Sequence, residues 1–300
     1  MPGVSGERVV AVLGRGVVPA EAPILVADDL GALRGDGIFE TMHVRDGRAW
    51  LIDEHLSRMT RSADLMQLTL PPRGALVDLI GQAVEHWSPA LEGALRLVCT
   101  RGPEGSLGGG IKGGGPEGLG GGNITVFATI SGVTEGMIRS RREGVAVLTA
   151  SLGFTAESRR SAPWLLGGAK TLSYAVNMAS QRWAQSLGGD DVLWVSADGF
   201  ALEAPTSTLV WLDGTALCTV PVEPTGILAG TTARWLLDHA DALGWTTAER
   251  MIAATDLLTC GGAWFTSSVR GVAAIRMLDG TAMPYSPEVT AKIRELLGYP

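Results

Sequence analysis

Residues 163–179 read PWLLGGAKTLSYAVNMA, and Lys170 is the one charged group among them. The chain carries 24 lysines and arginines; three are lysines (Lys112, Lys170, Lys292), which leaves 21 arginines. Arginine therefore serves wherever a generic cation is wanted, and each lysine calls for its own reason. Lys112 sits in a glycine-rich stretch and Lys292 in a final polar helix, and both read as solvated surface residues. Lys170 lies among apolar and small residues, where an ammonium is costly unless it is paired or used. An amine that sheds its proton can attack an aldehyde, whereas a guanidinium stays protonated and cannot form that imine. The local sequence leaves a structural salt bridge and catalysis both open.

Downstream, the pattern predicts a helix over 170–187, then short strands in DVLWVS, TLVWLD and ALCTVPV with DG turns at 198–199 and 213–214. Residues 225–232, TGILAGTT, place glycines and two threonines ahead of a helix expected over 230–243. Such a segment can receive an anion or simply cap the helix. Glu203, in GFALEAPTSTLVW, follows a DG turn and reads either as a buried functional carboxylate or as a surface one. A helix over 255–260 and a strand at AWFTSS come next.

Upstream, RVVAVL (8–13) and IFETMHV (38–44) read as strands, 53–68 as a helix capped by Asp53 with Leu56, Met59, Ala63, Leu65 and Met66 on one face, and 75–88 as a second helix. ALRLVCT and ITVFATI complete a sheet. Ten of the fifteen residues from 108 to 122 are glycine, so 106–122 reads as a mobile loop, either a passive insertion or a substrate lid. SGVTEGMIRSRREG resembles a crossover between domains. The expected division is a small α+β domain over 1–131, a linker over 132–142 and a larger domain over 143–300.

Composition narrows the field. The net charge of −7 and dispersed arginines offer no stripe for nucleic acid. No apolar run reaches the roughly 18 to 20 residues of a membrane span, and Glu7, Arg8 and Arg15 interrupt any secretory core, so a cytoplasmic location is expected. Cys99, Cys218 and Cys260 are too far apart for a zinc site and read as buried small hydrophobes. His43, His55, His86 and His239 lack metal-site spacing, so no metal is expected.

Taken together, RGDGIFET (34–41), EHLSRM (54–59), AKTLSYAVNMA (169–179), DGFALEAPTSTLVW (198–211), LAGTTAR (228–234) and WFTSS (264–268) resemble, in order, the fold-type IV pyridoxal-phosphate enzymes. That class includes aminodeoxychorismate lyases, D-amino-acid aminotransferases and branched-chain aminotransferases. The resemblance implies an α+β, two-domain fold, with a smaller N-terminal α/β sandwich, a larger barrel-like domain, pyridoxal 5′-phosphate between them and a homodimer completing the site. It implies Lys170 as the Schiff-base lysine and acid/base, Tyr174 at the cofactor's phenolic oxygen and Glu203 at its pyridine nitrogen. Arg58, Thr231, Thr232 and Ser268 would form the phosphate cup. Taken alone, Arg58 also reads as a helix-surface residue and Ser268 as a strand-end hydroxyl.

Thr41, Arg96 and Arg101 are the candidates for a substrate carboxylate, although either arginine also reads as a structural ion-pair partner. The segments RGDGIFET and KTLSYAVNMA look most like the lyase branch, in which pyruvate is eliminated and the ring aromatises to 4-aminobenzoate. After TRG the chain continues PEGSLGGG, without the arginine and histidine of typical D-amino-acid aminotransferases; the alternatives are a D-amino-acid or branched-chain-type aminotransferase, as the main or as a second activity, and a cofactor-binding protein without turnover.

Overall fold

The computed structural model describes residues 8–104 and 124–299. The glycine-rich stretch 106–122, with Lys112, lies outside the described residues. The chain divides into two compact units: Met1–Val133 with Ala169–Tyr174, and Thr134–Gly168 with Ala175–Pro300.

The first unit is built on an antiparallel sheet of β1 (Arg8–Val12), β2 (Gly16–Val18), β3 (Gly37–Arg45), β4 (Arg48–Ala49), β5 (Gly93–Thr100) and β6 (Thr125–Gly132), in the order β2-β1-β6-β5-β3-β4. After α1 (Leu30–Arg34), helices α2 (Ile52–Leu65) and α3 (Arg73–Glu85) pack on this sheet, α2 against β3 and α3 against β1 and β6. Ile38, Met42 and Val44 of β3 join Leu56, Met59 and Leu79 in one core. The two-residue period of a strand puts Glu40 on that same covered face, with Phe39 and Thr41 on the other. The helix starts at Ile52 without a side-chain cap from Asp53, and its buried face carries His55, Arg58 and Ser62 beside Leu56, Met59 and Ala63, while Leu65 is exposed. Polar residues take that face because Glu40 and a backbone amide are there to receive them.

Residues 169–174 are not the start of a helix. They run extended along β3: Thr171 bridges Ile38, the Phe39 amide donates to the Lys170 carbonyl (3.1 Å) and the Leu172 amide to the Gly37 carbonyl (2.9 Å). A side chain at Gly37 would lie 2.6 Å from the Cys99 carbonyl and 2.7 Å from Leu172, so only glycine allows this approach. Strand pairing thus overrides the helical pattern until Ala175.

In the second unit α4 (Glu135–Glu143), capped by Thr134, leads into β7 (Val145–Ser151), the short α5 (Ser158–Ser161), α6 (Ala175–Ser186) and β8 (Asp191–Val195). Then come β9 (Thr208–Asp213), β10 (Ala216–Thr219), α7 (Val222–Thr225), α8 (Thr231–Asp238), β11 (Thr246–Glu249), β12 (Ala263–Ser267), β13 (Gly271–Leu278), β14 (Thr281–Ala282) and α9 (Pro287–Leu296). The helix read over 230–243 ends at Asp238 and continues as a 3-10 turn, and the one read over 255–260 is 3-10 throughout. The sheet order is β11-β10-β9-β12-β13-β7-β8. Residues 199–203 join the edge strand β8 to the segment that follows β11 at the other edge: the Leu202 amide donates to Trp194 and the Trp194 amide to Glu203 on one side, the Ala201 amide to Ile252 on the other. This gives the sheet its barrel-like character and fixes the backbone of Glu203. Cys99 and Cys218 are buried and Cys260 half-buried, all as free thiols; burial pushes the Cys99 thiol up to about 12.

Candidate active site

In the first unit the extended 169–174 segment carries Lys170. Its amide donates to Ser62 Oγ (3.0 Å) on α2, which with the β3 pairing immobilises the backbone. Its Nζ lies 3.3 Å from the Tyr174 hydroxyl and 4.4 Å from the centre of the Phe39 ring. Tyr174 stands edge-on to Phe39 at 5.1 Å. The hydroxyl and the aromatic face together keep the amine oriented.

Behind it, on the covered face of β3, Glu40 is fully buried and accepts from Arg58 Nε (2.8 Å) and Nη2 (2.6 Å) and pairs with His55 Nδ1 (2.7 Å). Burial works against the Glu40 charge, but the guanidinium and His55 outweigh it and hold the carboxyl at about 2. Burial pushes His55 down, with Glu40 opposing and the charges of Arg58 and Lys170 adding to the fall. The stable state is a carboxylate between a guanidinium and a neutral imidazole whose Nδ1 carries the proton. Arg58 is thus buried, not a surface residue. Glu40 and His55 were not among the sequence candidates; the available signal was a carboxylate at a core-facing position of the alternating run IFETMHV.

On the other face of β3, Thr41 pairs across the ladder with Arg96 of β5, and the exposed Arg96 guanidinium lies 5.7 Å from the Phe39 ring. Arg101 is placed differently. Its Nε donates to Asp36 (2.8 Å), Nη1 to the Gln67 carbonyl (3.1 Å) and Nη2 to the Met66 carbonyl (2.7 Å). All three donor groups tie the end of α2 to the 34–37 turn, so this geometry favours the structural ion pair over the substrate contact for Arg101.

In the second unit Glu203 Oε2 accepts from the Leu228 amide (3.0 Å) and Oε1 from Arg159 Nη1 (3.4 Å), which also donates to the Gly226 carbonyl (2.8 Å). Arg159 is a further residue that sequence reasoning did not single out. The Leu228 contact fastens Glu203 to the loop that opens α8. There Gly230 is the N-cap and supplies no side-chain cap. A side chain at Gly230 would lie 2.1 Å from Thr208 Oγ1, so the backbone must stay bare there. Thr231 Oγ1 lies 3.4 Å from Ser268 Oγ, and the Thr232 hydroxyl, on a residue only 2 % exposed, is buried with no hydrogen-bond partner among the described residues. A buried hydroxyl without a partner is destabilising by about 1 to 3 kcal/mol. Set at the N-terminus of an eight-residue helix, where the dipole favours negative charge, it fits a phosphate dianion as the missing acceptor. No cluster of metal-ligating side chains occurs among the described residues, and no helix there is long and apolar enough to cross a membrane.

These two groups of residues belong to one known lineage. Residues 37–278 match the family described as amino-transferase class IV, and the chain belongs to it. It is therefore a pyridoxal-phosphate-dependent enzyme of fold type IV. The chain is 40 % identical over 281 residues, 90 % of its length and 92 % of the other's, to a bifunctional aminodeoxychorismate lyase / D-amino acid transaminase of Mycobacterium tuberculosis. A structure of a hypothetical aminotransferase from Mycobacterium tuberculosis in its PLP-bound form superposes with a TM-score of 0.88 at 39 % identity, covering 97 % of this chain and 98 % of that one. A fold IV-transaminase of Curtobacterium pusillum gives 0.87 at 31 % identity, covering 98 % and 100 %.

Proposed function

We propose that this enzyme eliminates pyruvate from 4-amino-4-deoxychorismate to give 4-aminobenzoate, and transaminates D-amino acids as a second activity of the same site. The observation that carries the reading is the fixed Lys170 amine beside Tyr174, and the likeness to a bifunctional lyase and transaminase supports both activities. When bound, the cofactor's aldehyde captures the substrate amine and its protonated ring accepts the electron pair of the adjacent carbon. Lys170 binds the cofactor covalently and then moves a proton at the carbon that bears the substrate nitrogen. Tyr174 orients Nζ for that transfer. Glu203 keeps the pyridine nitrogen protonated, and Arg159 and the Leu228 amide hold its carboxylate in place. Thr231, Thr232, Ser268 and Arg58 receive the phosphate, and Thr41 and Arg96 meet a substrate carboxylate.

The two activities share the proton removal and part at the next bond change. In the lyase, the enolpyruvyl C–O bond breaks, pyruvate departs and the ring becomes aromatic. In the transaminase, Lys170 would pass that proton on instead, water would release the keto acid, and a second keto acid would take up the amino group and give water back. We also place a second copy of the chain on the exposed face of α6, where Val176 (61 %) and Trp183 (44 %) stand seven residues apart and Leu187 (62 %) follows just past the helix end. A working place in the cytoplasm agrees with this small-molecule chemistry.

The test is to incubate the purified enzyme and Lys170→Ala with borohydride and to assay each for 4-aminobenzoate from aminodeoxychorismate and for keto acid from D-alanine. Covalent fixation of the cofactor at Lys170, and both products from the wild type alone, are expected. Products formed equally by the variant would overturn the reading.

A further inference from the structure

The turn that carries Ser268 is held by two buried side chains outside the cup. Ser268, Val269 and Arg270 join β12 to β13, and all three of their carbonyls accept from side chains. The Tyr299 hydroxyl donates to Ser268 O, Arg141 Nη2 to Val269 O (3.0 Å) and Arg141 Nε to Arg270 O (3.2 Å). Arg141 is 1 % exposed and Tyr299 4 %, and the guanidinium lies 4.8 Å from the centre of the Tyr299 ring. Gly271 closes the turn at φ +72, and a side chain there would lie 2.9 Å from the Tyr299 ring. The Arg270 side chain is tied separately to Asp191 (2.8 Å) and Ser207 (2.6 Å).

A planar trans peptide points its N–H opposite to its C=O. With the carbonyls of 268, 269 and 270 turned toward Arg141 and Tyr299, the amides of Val269, Arg270 and Gly271 are turned away from them. Successive amides on one side of a turn form an anion-binding concavity. The Ser268 hydroxyl belongs to the same turn and reaches Thr231 Oγ1 at 3.4 Å. Without the three side-chain bonds, the peptide planes could rotate.

We infer that Arg141 and Tyr299 are positioning residues that set the Ser268 turn for a phosphate group. Neither touches the phosphate; they act on the carbonyl side of the turn, as a buried pair reaching from α4 and from the segment after α9. The inference rests on the proposal that the phosphate lies at Thr231, Thr232 and Ser268.

Pyridoxal, which lacks the phosphate, separates this role from a general effect on folding. The apo-enzyme, Tyr299→Phe, Arg141→Lys and Thr232→Val are each titrated with pyridoxal 5′-phosphate and with pyridoxal, and the melting temperature of each apo form is measured. Loss of one well-placed hydrogen bond predicts that Tyr299→Phe and Arg141→Lys each weaken pyridoxal-phosphate binding by about fivefold. Pyridoxal binding is expected to stay unchanged. If Thr232→Val weakens phosphate binding while both other variants keep the wild-type ratio of the two affinities, whatever their melting temperatures, the positioning role is wrong. If Thr232→Val leaves that ratio unchanged as well, the phosphate site itself is misplaced and the inference falls with it.

Discussion

Arg58 meets Glu40 side-on, Nε and Nη2 each donating to a different carboxylate oxygen at 2.8 and 2.6 Å, with both residues buried. A fork-to-fork pair of this kind is among the strongest side-chain contacts, yet it repays the desolvation of two ions only while it is intact. Glu40→Gln strands the guanidinium without a counter-charge, and we expect a loss on the order of 3 kcal/mol. The double change Glu40→Leu with Arg58→Met, which removes both charges, should recover most of that stability in urea unfolding. An equal loss in both would show that packing rather than charge holds this site.

The same cluster sets the response to acid. Glu40 falls from an ordinary 4.5 to about 2 in the fold, and burial pushes His55 below its ordinary 6.5. Both folded values are lower than the unfolded ones, so the unfolded chain takes up protons first and stability falls with falling pH. The His55 part fades as pH drops below 6.5, and the Glu40 part only between 4.5 and about 2. The melting temperature of His55→Gln should therefore decline less steeply than that of the wild type between pH about 6.5 and about 5. Identical slopes would remove His55 from this account.

Much of this was legible in the residues. Three lysines against 21 arginines singled out Lys170, and IFETMHV and ALRLVCT read as strands, though only the structure shows that they pair. The Gly-Thr-Thr run gave the start of α8. The misreadings had a common physical cause: long-range partners. TLSY follows a helical pattern, but the ladder with Gly37–Phe39 holds it extended. Nothing near Glu40 in sequence announces Arg58, eighteen residues away. Arg159 and Tyr299 likewise find their partners 44 and 31 residues distant.

Thr232 offers a test in which stability and binding move apart. Its hydroxyl is buried with no partner among the described residues, and valine has the same shape without the oxygen. Removing an unsatisfied buried polar atom is neutral or stabilising. The apo form of Thr232→Val should melt at or above the wild-type temperature, while pyridoxal-phosphate binding weakens by about tenfold, the scale of a hydrogen bond to a charged group. A lower melting temperature with unchanged binding would mean that the hydroxyl serves the protein's own structure.

Arg96 and Arg101, five residues apart on and just after β5, separate in the same way by different readouts. Arg101 spends its donors on Asp36, Gln67 and Met66 within its own unit, so Arg101→Ala should lower the melting temperature. Arg101→Ala costs on the order of 1 to 3 kcal/mol, because two carbonyl contacts and an ion pair go together. Arg96 is exposed, its guanidinium near the Phe39 ring beside the Lys170 amine. Arg96→Ala should barely move the melting temperature, because an exposed cation over a ring contributes little to folding. If it meets the substrate carboxylate, KM for aminodeoxychorismate and for a dicarboxylate keto acid should rise about tenfold or more with kcat little changed, the mark of an interaction made equally in the ground state and the transition state. The reverse result, a KM effect from Arg101 and a stability effect from Arg96, would exchange their roles and move the carboxylate site toward the end of β5.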